Sequence, residues 1–259
     1  LESDSDTDGS TSTDTKELTT IDNTSLLTSI ENDESQTTGN TKETSGYITK
    51  DYATNIIKTL VDTNQITAEQ GIDLTNTIEQ REFSKIIPDD KEIKGLVNCI
   101  GSILIKPLHG TKTEEFEEVL RVNLFSSYYL LSSFARRMKN GSAIFFSSVA
   151  GTKGLSNHEA IAAAKAGLEG MARSAAASYA KDNLRVNVIA PGLMDTNMSQ
   201  RLLATEQARE LSKSMYPIQK IGDFNDILPV VKWLLSEDSK WVTGQTIHVD
   251  GGLSTVKPR

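Results

Sequence analysis

Short apolar runs alternate with helix-like segments from residue 94 onward, and this alternation restricts the fold more than any other feature. The strand-like runs lie at residues 94–101, 142–148, 184–190 and 245–249. The segments with helical spacing of apolar residues lie mainly at residues 111–138, 156–181, 204–215 and 226–235. Buried strands separated by helices are typical of parallel sheets that are covered on both faces. We therefore predict an α/β fold with a doubly wound parallel sheet over residues 93–259.

Two of these helices begin with a sequence pattern that is typical of capping boxes. The patterns run from Thr111 to Glu114 and from Ser156 to Glu159. A hydroxyl side chain followed three residues later by glutamate satisfies two backbone N–H groups at a helix start. We expect Glu159 to serve as the third residue of such a box.

The first 46 residues have a different composition from the rest. They hold 11 acidic side chains and two lysines, a local net charge of 2 − 11 = −9, together with eight serines and twelve threonines. Such a segment buries too little apolar surface to offset the entropy lost on ordering. We predict a disordered acidic Ser/Thr-rich tail over residues 1–46. Residues 47–92 are predicted to form a helical segment of unknown role, with helices near 52–61 and 67–79.

Charge and cysteine content exclude several classes of function. The acidic tail repels polyanions, and the other 213 residues carry about −8 + 9 = +1 without a lysine or arginine cluster, so we predict no nucleic-acid partner. No run of 18 apolar residues is present, so we predict no membrane span. The single Cys99 rules out an internal disulfide and fits a reducing compartment, either the cytoplasm or an organelle matrix. We predict no metal site.

Three loops follow the predicted strands at residues 98–101, 147–151 and 191–196. The carboxyl ends of parallel strands meet at one edge of a sheet, where ligands bind. We therefore expect these loops to form one cleft.

The residues of these loops resemble motifs of the short-chain dehydrogenase/reductase family, which has a Rossmann-like fold. The matching segments are NCIG at 98–101, VNL at 122–124, Ser148, AKAG at 164–167, Pro191-Gly192 with Thr196, PIQKIG at 217–222 and VTGQTIHVDGG at 242–252. They occur in the family's order and spacing. The resemblance implies an oxidoreductase that transfers a hydride between NAD or NADP and a small carbonyl or alcohol substrate.

The resemblance also implies roles for individual residues. Ser148 would hold the substrate oxygen, Lys165 would bind the cofactor ribose, and Asn123 would anchor a proton-relaying water. The cofactor-binding set would comprise Asn98, Gly101, Lys165, Pro191, Gly192 and Thr196. Simpler interpretations stay open: Ser148 capping a turn, Asn123 satisfying a backbone group, Lys165 as a solvated helix lysine, and Gly101 and Gly192 needed only for backbone conformation.

The family's catalytic tyrosine position, 13 residues after Ser148, is occupied by Ile161. An alkyl side chain cannot exchange a proton, and loss of a positioned proton donor typically costs about 100-fold to 10,000-fold in rate. His158 and Glu159 are nearby substitutes. We disfavour both, because Glu159 has an ordinary role in the predicted capping box and His158 falls in the first helical turn.

The glycine-rich turn that holds the cofactor pyrophosphate in the family is not found before Asn98. Residues 47–92 number 46, too few for three strand-helix units of roughly 20 to 25 residues. We predict that the first nucleotide-binding half is truncated or replaced. The edge of the strand near residue 94 then needs a cover, either residues 47–80 or a partner chain.

Three functional interpretations remain open from the sequence. The chain is an active oxidoreductase, a catalytically inactive structural or regulatory subunit, or an incomplete or mis-joined product. The resemblance implies a homo-oligomer formed through the helices at residues 114–138 and 159–180. Neither the substrate nor the choice between NAD and NADP follows from the sequence.

Overall fold

The computed structural model describes residues 93–257. The predicted acidic tail, the helices predicted within residues 47–92 and the predicted loss of the glycine-rich turn lie outside the described residues.

Four parallel strands form one sheet in the order β1-β2-β3-β4 within the described residues. The strands are β1 (Gly95–Asn98), β2 (Ser142–Phe146), β3 (Arg185–Pro191) and β4 (Thr246–Val249). Asn98 pairs with Phe145, and Phe146 pairs with Ile189. All four carboxyl ends therefore lie along one edge of the sheet. The predicted parallel sheet is confirmed, with β1 as its border in this part of the chain.

Within residues 93–257, five α-helices connect and cover these strands. They are α1 (Thr113–Leu120), α2 (Ser126–Phe134), α3 (Glu159–Ser178), α4 (Glu206–Ser214) and α5 (Phe224–Leu235). A π-helical turn, Arg121–Phe125, joins α1 to α2. Short 3₁₀ turns occur at Leu108–Gly110, Ala135–Arg137, Val149–Gly151, Ala180–Asp182, Asn197–Ser199 and Glu237–Ser239.

Helices cover both faces of the sheet, as predicted for a doubly wound fold. Neighbouring residues of a strand point to opposite faces. Phe145 packs in a cluster with residues of α2 and α3, such as Phe134 and Leu168. Ile144 packs on the other face with Ile227 and Leu234 of α5. The apolar runs of the sequence are thus buried from both sides.

The predicted capping box at Thr111 is wrong by one residue. Helix α1 has Lys112 as its N-cap, and the Lys112 backbone N–H donates to Glu115 Oε2 at 2.9 Å. The Thr111 hydroxyl instead donates to the Pro107 carbonyl oxygen at 3.1 Å, which holds it in the preceding turn.

The predicted capping box at Ser156 is also wrong. Asn157 has a φ of +65°, so the chain turns there, and Glu159 becomes the first helical residue of α3 rather than the third. His158 is the N-cap and makes no side-chain capping bond. The capping role that disfavoured Glu159 as a functional group is therefore absent, and His158 precedes the first helical turn instead of lying in it.

No helix between residues 93 and 257 is both long enough and apolar enough to cross a bilayer.

Candidate functional site

The three predicted loops lie side by side at the carboxyl edge of the sheet, because β1, β2 and β3 are neighbours. Helix α3 runs against this edge and contacts the turn that follows β2. We call the group formed by Gly101, Asn123, Ser148 and Lys165 the strand-end site. Within the described residues, no group of three His, Cys, Asp or Glu side chains could hold a metal ion.

Lys165 is a buried cation of this site. Only 6% of the residue is exposed, and its Nζ donates to the Phe146 carbonyl oxygen at 2.8 Å, at the end of β2. Burial lowers the pKa of Lys165 to about 8, and electrostatic interaction with Cys99 opposes that shift. The interpretation of Lys165 as a solvated helix lysine is therefore wrong. An ammonium has three N–H donors, so other protons remain for a ligand.

Cys99 lies close enough to Lys165 for the two groups to interact electrostatically. Burial raises the pKa of the Cys99 thiol to about 12, and the Lys165 charge opposes this rise. The thiol is consequently protonated at neutral pH and does not act as a counter-ion to the ammonium. The positive charge of Lys165 is thus available to a bound ligand.

Asn123 lies in the centre of the π-helical turn and is completely buried. Its Nδ2 donates to the Val119 carbonyl oxygen at 3.0 Å and to Ser102 Oγ at 2.9 Å, and its Oδ1 accepts from the Ser102 backbone N–H at 3.1 Å. The interpretation of Asn123 as a residue that satisfies backbone groups is confirmed. A π-helical turn inserted in a helix is often found at a functional site. The amide side chain joins this turn to the loop after β1.

Gly101 lies close to both Asn123 and Lys165. A Cβ atom at this position would lie 3.3 Å from Asn123 Oδ1 and 3.6 Å from Lys165 Nζ. A side chain here would therefore crowd the Asn123 amide and contact the Lys165 ammonium. Glycine avoids both contacts.

Ser148 follows β2 and is partly buried. Its Oγ accepts a hydrogen bond from the Ala150 backbone N–H at 3.2 Å, as the cap of the short Val149–Gly151 turn. The turn-capping interpretation is thus confirmed. The hydroxyl proton is not used by this bond, so Ser148 can still donate to a ligand oxygen.

A buried pair of polar side chains packs against the turn that follows Ser148. Ser147 Oγ donates to Glu169 Oε1 at 2.6 Å, and both residues are 5% exposed. A Cβ atom at Gly151 would lie 2.7 Å from Glu169 Oε1 and 2.9 Å from Ser147 Oγ. Only glycine fits at position 151 without displacing this pair.

The sequence predictions missed Glu169 and Ser147. A sequence signal exists, because Glu169 follows Lys165 by four residues and therefore lies on the same face of α3. A carboxylate on the buried face of a helix needs a hydrogen-bonding partner. The identity of that partner depends on how β2 and α3 pack.

Asn98 is held by protein groups at both ends of its amide. Its Nδ2 donates to Ser127 Oγ at 2.8 Å, and its Oδ1 accepts from the Ile100 backbone N–H at 3.1 Å. The side chain thereby ties the end of β1 to α2 and shapes the loop that leads to Gly101. It acts on the site through the backbone of that loop.

Pro191, Gly192 and Thr196 lie at and after the end of β3. A Cβ atom at Gly192 would lie 2.8 Å from the Tyr216 ring, so close packing requires glycine there. The Tyr216 hydroxyl accepts from the Leu193 backbone N–H at 2.6 Å. Thr196 is exposed and begins the Asn197–Ser199 turn. These residues form the β3 side of the same sheet edge, but none has a hydrogen bond to Lys165 or Asn123.

Ile161 is 5% exposed and packs among apolar side chains. Its cluster contains Val119, Ala150, Ala160 and Ala164, with Leu104, Leu120, Leu124 and Leu155 against it. The position that would carry a hydroxyl in the resemblance is therefore filled by alkyl groups, and it contributes packing.

A cleft of about 300 Å³ opens beside the turn that follows Ser148. We call it the loop cleft; its lining comprises residues 150–155, His158, Glu159 and Ala162. Nδ1 of His158 lies 2.7 Å from the Ser156 carbonyl oxygen. None of the described residues that line this cleft is a tyrosine.

The donor set of the strand-end site fits the hydroxyl and phosphate groups of a dinucleotide. Lys165 offers a buried positive charge with free protons, and the neighbouring Gly101 places no side chain against it. The Thr196 side chain is exposed at the same edge of the sheet. Oxygen-rich ligands are bound by this kind of cationic and hydroxyl group.

Comparison with known proteins extends the likeness beyond the described residues. A sequence profile of the family described as Enoyl-(Acyl carrier protein) reductase matches residues 53–254. Its first matched residue lies within the segment predicted as helical and of unknown role.

Individual relatives and solved structures agree with this match. The chain is 34% identical over 186 residues to a 3-oxoacyl-[acyl-carrier-protein] reductase of Buchnera aphidicola, covering 70% of this chain and 75% of the relative. It is 36% identical over 172 residues to the reductase of that name from Thermotoga maritima, covering 65% and 69%. A putative gluconate dehydrogenase of Agrobacterium tumefaciens superposes with a TM-score of 0.68 at 27% identity, covering 72% of this chain and 76% of that chain.

Proposed function

The chain belongs to the short-chain dehydrogenase/reductase family, and from this membership we propose that it binds a nicotinamide dinucleotide and interconverts a carbonyl compound and an alcohol. The observation that carries the proposal is the buried Lys165 ammonium at the carboxyl edge of the sheet, beside Gly101, which has no side chain. Burying a cation costs free energy unless a partner compensates it. The single hydrogen bond from Lys165 Nζ to the Phe146 carbonyl oxygen, at 2.8 Å, compensates only a small part of the cost of burying the charge. A ligand that interacts with this charge would account for the buried lysine.

The strand-end site offers a distinct task for each side chain. Lys165 holds cofactor hydroxyl groups, and Thr196 offers a hydroxyl at the β3 side of the edge. Ser148 donates its free proton to the substrate oxygen, where charge develops during reduction. Asn123 keeps the π-helical turn and the Ser102 loop together. When it is bound, the nicotinamide group supplies or accepts the hydride.

The substrate class is a small carbonyl or alcohol. The named relatives are a 3-oxoacyl reductase and a gluconate dehydrogenase, so they differ in substrate but share carbonyl and alcohol chemistry. The proposal includes both NAD and NADP.

A second candidate is a catalytically inactive family member that serves as a structural or regulatory subunit. The packing of Ile161 among alkyl side chains favours it, because no proton donor occupies that position. The two candidates differ in what they require of Lys165. A subunit without catalytic function has no need of a nucleotide.

Titration of the purified full chain with NADH and NADPH, monitored by cofactor fluorescence, distinguishes the candidates. We expect binding in the micromolar range with at least one cofactor. Lys165→Met should abolish or strongly weaken it, whereas Lys181→Met, which alters an exposed lysine, should leave it unchanged. No binding at millimolar cofactor would refute the enzyme proposal.

We also propose that the chain forms a homo-oligomer. An apolar groove of about 400 Å³ lies between α2 and α3, and its lining comprises Leu124, Phe125, Tyr128, Tyr129, Gly167 and Met171. Phe125 is 42% exposed and Tyr128 is 55% exposed, a large apolar area for a solvent-facing surface. Light scattering should give at least a dimer, and Tyr128→Glu should shift it toward monomer. A monomeric wild type would contradict the proposal.

A further inference from the structure

We infer that His158 is the acid-base group of this enzyme and donates the proton that Ile161 cannot supply. The inference rests on the proposed function and adds to it the residue that completes the reaction. It also differs from the sequence prediction, which disfavoured His158 because the residue was expected in the first helical turn; in the structure His158 is the N-cap and precedes that turn.

His158 is the N-cap of α3 and directly precedes the helical turn that contains Ile161. It lies three residues before Ile161 and seven before Lys165 in the sequence. Helical side chains lean toward the N-terminus and cover the preceding turn. A long side chain at position 161 would therefore extend toward the turn at residue 158.

The imidazole is oriented by its hydrogen bond. Nδ1 lies 2.7 Å from the Ser156 carbonyl oxygen, and a carbonyl oxygen can only accept. Nδ1 therefore carries a proton in the neutral ring, which leaves Nε2 as the nitrogen that gains and loses one. No described group forms a hydrogen bond to Nε2. The ring lines the loop cleft together with Ala150 and Gly151, the residues just after Ser148.

The other ionisable groups around the strand-end site either have hydrogen-bonding partners in the protein or do not ionise near neutral pH. The Glu169 carboxylate accepts from Ser147 beneath Gly151, and the Cys99 thiol is buried with a pKa of about 12. Lys153 lines the loop cleft but donates to the Leu253 carbonyl oxygen.

Two further charged groups belong to α3 itself. Glu159 is exposed at the mouth of the cleft, and Lys165 donates to the end of β2. Among these groups, His158 alone combines a fixed orientation with a nitrogen that is free of protein partners.

The proposed step is described in the direction of carbonyl reduction. The nicotinamide dinucleotide of the proposed function provides the two electrons as a hydride to the carbonyl carbon. The π pair of the C=O bond moves onto oxygen, and this oxygen takes the proton from Nε2 of protonated His158. The products are an alcohol, the oxidised dinucleotide and a neutral imidazole, which regains a proton from water.

The first test concerns the free chain and needs no activity. In ¹⁵N-histidine NMR of the full chain, the His158 signal is identified by its loss in His158→Gln. We expect the neutral ring to be protonated at Nδ1. Protonation at Nε2 would overturn the inference, because the free nitrogen could not then accept a proton in the neutral state.

The second test measures reduction of two probes, acetoacetyl-coenzyme A and butane-2,3-dione, with NADH and NADPH. His158→Gln keeps a group that can bond to the Ser156 carbonyl oxygen but cannot carry the proton. It should lower kcat by about 100-fold or more with little change in nucleotide affinity. His158→Ala should be equally impaired and should regain activity when imidazole is added. His109→Gln, at an exposed histidine, is the matched control and should behave as wild type.

The remaining outcomes separate this inference from the proposed function. Unchanged kcat in His158→Gln overturns the role of His158. The same conclusion holds if the wild type reduces neither probe while Ile161→Tyr reduces one, because the site then accepts a carbonyl and lacks only a donor. If neither protein reduces a probe or neither binds nucleotide, the proposed function fails and the inference fails with it.

Discussion

Two adjacent turns of helix α3 have opposite chemistry on their buried side. The turn at Lys165 and Glu169 carries an ammonium and a carboxylate, each with a hydrogen bond to the β2 end of the sheet. The turn before it carries Ala160, Ile161 and Ala164 in a purely apolar cluster. One helix face therefore holds a polar half, suited to a nucleotide, and an apolar half where the resemblance expects a proton donor.

The difference shows which part of the site requires free energy to bury. Burial of a charged group requires compensation of several kcal/mol, whereas an alkyl cluster stabilises the fold without any ligand. A chain selected only for folding has no reason to retain a buried lysine whose pKa falls to about 8. The polar half is thus the part that carries the functional signal, and the apolar half has no side chain that can exchange a proton.

The largest expected effect comes from restoring a hydroxyl to the apolar half. In a His158→Gln background, Ile161→Tyr should raise carbonyl reduction by about 100-fold or more, since it supplies a donor to a site that lacks one. Steady-state kinetics with the two carbonyl probes measures this.

Ile161→Phe in the same background is the matched control, because it adds the ring without the hydroxyl. Both variants should lose about 1–3 kcal/mol of unfolding free energy through overpacking. Equal reduction rates for the two would show that the hydroxyl does not reach the substrate, which contradicts the division of the helix into two halves.

Removing the charge from the polar half should have the next largest effect. Lys165→Met deletes hydrogen bonds from a charged donor, typically about 1.5–3 kcal/mol, so nucleotide affinity should fall by about 10-fold to 100-fold. Fluorescence titration gives the change. Unfolding by denaturant should show equal or greater stability, because the buried charge is gone. A variant that loses stability and keeps its affinity would assign Lys165 to the core.

A methyl group added at Gly151 should disturb the packing of the polar half of the helix face. Gly151→Ala places its Cβ within 3.0 Å of both Glu169 and Ser147 side-chain atoms, and we expect a loss of about 1–3 kcal/mol in unfolding free energy. Gly154→Ala is the control, since no atom of the described residues lies within 4 Å of a Cβ there. Denaturant unfolding compares the two. If their stabilities match, the Ser147 and Glu169 pair tolerates movement and does not fix the turn.

The smallest expected effect is the pH dependence of nucleotide binding. Burial lowers the pKa of Lys165 to about 8, so its charge is largely present at pH 7 and largely lost by pH 9. Affinity should therefore decrease as pH rises through this window, by about tenfold at most between the two pH values. A bound anionic ligand favours the charged form and moves the midpoint above the free-chain value.

The same titration of Lys165→Met serves as the reference for this pH effect. It should be flat across the window, since the ionising group is absent. An affinity that rises with pH in the wild type, or an equal pH dependence in both proteins, would assign the effect to a different group.

Much of the fold followed from the sequence, because buried parallel strands and amphipathic helices have distinct periods. The runs at residues 142–148 and 184–190 are strands in the structure, and the helix predicted at residues 156–181 is α3. The capping box predicted at Ser156 failed for a local reason. A pattern of four residues does not report the turn at Asn157, whose positive φ moves the helix start to Glu159.

The sequence by itself determined the strand and helix order, the meeting of three loops at one sheet edge, and the absence of an ionisable group at position 161. These properties depend on residue type and spacing along the chain. Only the tertiary structure decided that Lys165 is buried, that Asn98 bonds to Ser127, and that Glu169 bonds to Ser147. These two hydrogen bonds, and the one from Lys165 to the Phe146 carbonyl oxygen, join residues at least 19 positions apart in the sequence. How the helices pack on the sheet decides whether such residues meet.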